Sequence, residues 1–181
     1  MEYHIAMDGN NQARGTSDQP FRTISQAAKL AVAGDTIIVH KGIYREWVNP
    51  ANAGTAEHRI VYKAAGDGKV VITGAERITD WTMEDDTVWS TEVANALFSD
   101  RNPYEVELSG DWLFDGILTV HLGDVYLDGR SLYECDSIEK VRKPEVWPEA
   151  KFPEESLLKW YAEVGPTTTK IWANFGHKDP R

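Results

Sequence analysis

A chain of 181 residues has room for one ordinary domain or two small ones, and an apolar content of 41% is enough to build a core. Nineteen basic residues against twenty-nine acidic ones give a net charge of −10, which argues against nucleic acid phosphates and anionic membrane surfaces as partners. No run approaches eighteen consecutive apolar residues, so the sequence offers no membrane-spanning helix.

In chain order, Tyr3–Ala6 is a short strand candidate, and the Gly-, Asn- and Asp-rich stretch behind it reads as a solvated loop. "TISQAAKLAVAG" then carries a helix signature. Thr23 and Gln26 are spaced as a capping box. Ile24, Ala27, Ala28 and Ala31 form one apolar stripe, and Gly34 supplies the stop, so the expected helix runs from Thr23 to Ala33. Four strands of about five residues follow: Thr36–His40, Tyr44–Val48, Ile60–Ala64 and Val70–Thr73, parted by turns at Gly42, Gly54, Gly66 and Gly68. Neither a sandwich nor a parallel solenoid is excluded by that rhythm. The links lack the sharp primed turns of hairpins, however, which favours a solenoid whose open end the helix would cap.

Near residue 78 the pattern changes. Asp128-Gly129 in "VYLDGRSLYE" is a strong hairpin signal. In "LKWYAEV" Leu158, Trp160, Ala162 and Val164 share one face. In "TKIWANF" Ile171, Ala173 and Phe175 do the same, with "GPTTT" as the connection. An antiparallel module of the immunoglobulin-like kind, one face in and one face out, is the expected outcome. "IEKVRKPEVWPEAKFPEE" reads as a long surface loop.

Several motifs together resemble a known family. "GTSDQPFRTISQAAKLAVAGDTIIVHKGIYREWVNP" resembles the opening of right-handed parallel β-helix proteins. "RIVYKAAGDGKVVITGAERITDW", "NPYEVELSGDWL", "HLGDVYLDGRSLYE" and "WYAEV…TKIWANFGHKDP" extend the likeness to the N-terminal part of glycoside hydrolase family 120 β-xylosidases. The resemblance implies a mainly β chain with two parts: residues 1–78 hold a cap helix and the first coils of a parallel β-helix, and residues 79–181 hold an inserted immunoglobulin-like sandwich. It implies xylo-oligosaccharide as substrate, hydrolysed with retention, and no cofactor. It also implies that the two catalytic carboxylates lie in later coils that this chain does not reach. The expectation is therefore a catalytically incomplete chain, poorly soluble or partly folded by itself because its last strands lack partners. A non-catalytic carbohydrate-binding module and a β-helix protein of another kind, lyase-like or structural, are the alternatives.

Trp112 in "SGDW" is the one residue to which the resemblance assigns sugar contact, by stacking of its indole on a xylose ring; the competing reading is a core tryptophan. Seven tryptophans and seven tyrosines suit either role. Glu46, Asp111 and Asp124 are the acidic residues with the least solvent-like contexts, and each is expected to hold a turn or backbone donors. His4, His40, His58, His121 and His177 are scattered without zinc spacing, so no metal is expected. The single cysteine, Cys135, excludes an internal disulfide and reads as a small buried hydrophobe. "MEYHIAMDGNN" has no basic n-region or apolar h-region, and there is no N-glycosylation sequon, so the cytoplasm is the expected compartment. The oligomeric state is not legible.

Overall fold

The computed structural model describes residues 1–98, 100–111 and 119–181. The chain is mainly β and divides into two compact units, Met1–Arg77 and Ile78–Arg181.

The first unit contains β1 (Glu2–Ile5), α1 (Ile24–Leu30), β2 (Thr36–Val39), β3 (Gly42–Arg45), β4 (Val61–Ala64) and β5 (Val70–Thr73). Every pairing here is parallel: β1 with β2, β2 with β4, and β3 with β5. The alternation of the strands sends Ile5, Ile37, Val39 and Tyr44 inward, where they meet Phe21 and the α1 stripe of Ile24 and Ala27, with Ala31 just behind it. β4 is an outermost strand among the described residues, and all four of its residues are exposed.

Three local expectations are corrected. The helix ends at Leu30 rather than Ala33: Ala31 takes an extended ψ of 136° while its N–H still closes on Ala27 O. Gly34, in the positive-φ region at 91°, serves the turn beyond. The capping box is only half built. Thr23 Oγ1 accepts from Gln26 N at 3.2 Å, but Thr23 N is taken by Asn11 Oδ1 at 3.0 Å. Asn11 Oδ1 also accepts from Arg22 N at 3.0 Å, so the "DGNN" loop braces the helix start instead of standing free in solvent. The second strand begins at Gly42, where the sequence pattern predicts a turn, and stops at Arg45. Its inward residue is Tyr44, whose hydroxyl donates to His40 O at 2.9 Å.

The second unit contains β6 (Thr82–Met83), β7 (Val88–Ala94), β8 (Tyr126–Leu127), β9 (Arg130–Ser131), β10 (Tyr133–Glu134), α2 (Ile138–Arg142), β11 (Lys159–Val164) and β12 (Thr168–Asn174). Its main sheet has the order β10-β11-β12-β7-β6, antiparallel except for β10 against β11. β8 and β9 form the hairpin that Asp128-Gly129 announces. Asp128 at φ 54° and Gly129 at φ 78° both occupy the left-handed region such a two-residue turn requires.

One face of the sheet packs Trp89, Val93, Trp160, Ile171, Ala173 and neighbouring Phe175 with Val125 and Leu132. The opposite face is covered over part of its area, where the sequence pattern expected solvent, while Glu92 and Glu163 on it remain exposed. Trp172 and Val88 lie under Val141 of α2, with Cys135 beside them. That helix occupies part of the stretch expected to be a surface loop. It is moored by Asn174 Nδ2 donating to Val141 O at 3.0 Å and by Arg142 Nη2 donating to Glu84 Oε2 at 2.9 Å.

Candidate functional site

The stretch with the sugar-contact candidate begins after β7 and returns at β8. Residues 103–108 and 120–123 run alongside each other as an antiparallel arm: Leu108 N donates to Val120 O, Leu122 N to Val106 O and Gly123 N to Pro103 O, each at 2.8 Å. A bridge joins Glu107 to His121. Trp112 lies between these two runs in sequence and falls outside the described residues. Asp111, the last described residue before it, is exposed.

The base of the arm is anchored by an aromatic and an amide. The Tyr104 ring meets Phe98 and Trp160 edge-on, at centroid distances of 5.7 and 5.6 Å, and its hydroxyl donates to Asp124 O at 3.1 Å. A side chain at Gly123 would put its Cβ 2.5 Å from that ring, so the return run passes here only as glycine. Asn102 Nδ2 donates to Thr169 Oγ1 at 2.7 Å, and Asn102 Oδ1 accepts from Tyr104 N at 3.0 Å, tying the outgoing run to β12. Midway along, one carboxylate holds the return run twice. Glu134 accepts from His121 N at 2.8 Å and contacts its ring Nδ1 at 2.5 Å. Sequence reasoning passed over Tyr104, Asn102 and Glu134. Only the "NPYE" turn and the histidine near a strand hinted at them.

Burial, reinforced by the Asp124 charge, pushes the Tyr104 hydroxyl up to about 12 from its ordinary 10.0. The folded chain therefore holds the phenol proton more tightly than the unfolded chain does. The stability this contributes is intact below about pH 10 and is lost as the pH rises through about 12, by up to roughly 3 kcal/mol. Urea unfolding between pH 9 and 12 is expected to show this decline, and Tyr104→Phe is expected to flatten it; equal slopes in both proteins would contradict the assignment.

The other singled-out carboxylates do structural work. Glu46 accepts from Ile24 N at 2.9 Å and Ser25 N at 2.7 Å, and so caps α1. Asp124 accepts from Val125 N and from Ser131 Oγ, both at 2.7 Å, bracing the β8–β9 hairpin. Cys135 is buried, which pushes its thiol up, and its Sγ donates to Trp160 O at 3.3 Å. Of the described tryptophans, Trp89, Trp160 and Trp172 are core, whereas Trp47 and Trp147 are exposed. His58 and His177 are exposed. Among the described residues no cluster of three or more His, Cys, Asp or Glu is arranged to hold a metal.

With this geometry in hand, the relatives are informative. Residues 78–181 match the family model described as "Glycoside hydrolase 120, insertion domain", and residues 7–50 match "Protein of unknown function (DUF1565)". The solved structure described as "The complex structure of XylC with xylose" matches with a TM-score of 0.94 at 45% identity, covering 99% of this chain and 30% of that one. "Uncharacterized protein YwoF" of Bacillus subtilis (strain 168) is 26% identical over 107 residues, 59% of this chain and 20% of its own length. "Pectate lyase PEL9" of Emericella nidulans is 34% identical over 77 residues, 41% of this chain and 19% of its own length. This chain thus spans about a fifth of those curated relatives and under a third of the solved one. The match over residues 78–181 covers more than half of the sequence, and the chain belongs to glycoside hydrolase family 120.

Proposed function

We propose that this chain is the N-terminal portion of a retaining β-xylosidase-type glycoside hydrolase acting on xylo-oligosaccharides in the cytoplasm. The observation that carries the reading is the likeness, along nearly the whole chain, to XylC, whose structure was solved with xylose. On this reading Met1–Arg77 is a cap helix with the first coils of a right-handed parallel β-helix, and the all-parallel pairing of its strands supports that architecture. Ile78–Arg181 is an immunoglobulin-like insertion, and its Trp112 meets the sugar.

Retaining hydrolysis needs two carboxyl groups about 5–5.5 Å apart, one as nucleophile and one as acid/base. Glu46 and Asp124 are each committed to backbone donors and are poor candidates for either task. The contribution proposed for this chain is binding: the Trp112 indole covers the C–H face of a xylose ring.

Titration with xylobiose, followed by tryptophan fluorescence, tests the reading. Saturable quenching is expected with a dissociation constant in the millimolar range, roughly 4 kcal/mol of binding. Trp112→Ala is expected to abolish it without lowering the melting temperature. Quenching that does not saturate, or that survives in the variant, would remove Trp112 from the sugar site.

A further inference from the structure

Two histidines far apart in sequence come together on the first unit. Ile5 and Val39 point into the core, so their strand neighbours His4 and His40 lie on the opposite face. His40 directly follows β2, and its N–H donates to Ile5 O at 2.9 Å, which continues the ladder and sets the two rings diagonally across it. The rings stack at a centroid distance of 5.4 Å, and His4 Nδ1 stands 3.1 Å from His40 Nε2. On its other side His40 Nδ1 is 2.9 Å from Asp67 Oδ2, and Asp67 Oδ1 accepts from Lys41 N at 3.0 Å.

A carboxylate on Nδ1 keeps the His40 proton on that nitrogen and turns the Nε2 lone pair toward His4. In tetrahedral zinc sites with metal–nitrogen bonds of 2.0–2.1 Å, neighbouring ligand nitrogens stand about 3.3–3.4 Å apart. The His4–His40 separation is within a few tenths of an ångström of that edge. A carboxylate hydrogen-bonded behind one imidazole is also the outer partner that metal-binding histidines ordinarily have.

We propose that His4 Nδ1 and His40 Nε2 form a two-histidine chelate for a divalent transition ion of the zinc type, with Asp67 orienting His40 and water completing the coordination. Without the ion, His4 Nδ1–H donates to His40 Nε2. On binding, the His4 proton moves through solvent from Nδ1 to Nε2, so both lone pairs face the metal and no net proton is released. Two protein ligands make a modest site, and its consequence is mechanical. The ion ties β1 to β2 at the start of the parallel sheet and stabilises the folded state by mass action.

Zinc titration of the full chain by calorimetry is the test, with nitrogen NMR of the histidine side chains alongside. One ion per chain is expected to bind, at least tenfold more weakly in His4→Ala and in His40→Ala, and about tenfold more weakly in Asp67→Asn. Circular dichroism verifies that each variant is folded. In the unaltered chain, zinc is expected to move the His4 proton from Nδ1 to Nε2, a signature that needs no variant. Absence of zinc binding, binding undiminished in both histidine variants, or an unchanged His4 tautomer would each overturn the proposal and leave a hydrogen-bonded pair only.

Discussion

Truncating Trp160 to alanine is expected to lower the stability of the second unit by about 3–5 kcal/mol, the largest single-residue effect in that unit. Its indole is 2% exposed and sits where three structures converge. It lies on β11, in register with Ala173 of β12 and with Glu134 of β10. It also receives the Tyr104 ring at the base of the arm. Removing it leaves a cavity that the rigid sheet cannot close, because its neighbours are fixed by backbone ladders on both sides. Trp160→Phe retains much of the ring contact and is expected to cost well under half as much. Its indole N–H meets no acceptor among the described residues, so the phenyl ring forfeits none of their hydrogen bonds. Chemical denaturation of the two variants checks this. A loss below about 1 kcal/mol for Trp160→Ala would show that the residue is not the packing centre of its unit.

Glu46→Ala is expected to destabilise the first unit by about 2–3 kcal/mol, a cost that falls on α1. A seven-residue helix has little stability of its own and depends on its cap and its packed face. Glu46 arrives from beyond β3 and accepts the N–H groups of Ile24 and Ser25, and the Ser25 hydroxyl also donates to it. The interaction combines charge-assisted hydrogen bonds with a negative charge at the positive end of the helix. Glu46→Gln keeps one carbonyl acceptor but loses the charge, and is expected to recover about half the loss. Hydrogen exchange at Ala27 and Ala28 reads the effect locally. Protection there unchanged in Glu46→Ala would mean the Thr23 and Asn11 contacts suffice.

The resemblance to family 120 pointed to the right family, and much of the fold was legible because its signals are local. The alternating strands, the Thr23 cap and the Asp128-Gly129 turn each depend on residues within a few positions of one another. The candidate site was legible in a thinner sense. "NPYEVELSGDW" marked the arm, yet Trp112 falls outside the described residues, and the anchors Tyr104, Asn102 and Glu134 had only the "NPYE" turn and a histidine near a strand to hint at them.

What the sequence by itself determined is where the chain extends, turns and coils, because short-range sterics and side-chain periodicity set those choices. Tertiary structure alone decided which groups meet. The first five residues of the "surface loop" became α2 because the second face of β12 carries Trp172, and that apolar area had to be covered. Gln26 yielded to Asn11, and the acidic residue at position 46 became the cap of a helix begun more than twenty residues earlier. His4 and His40, separated by 36 positions, face each other only because the parallel register of β1 and β2 sets them across one ladder. Contacts of this kind depend on strand order and register, which are collective properties of the packed core rather than of any window of sequence.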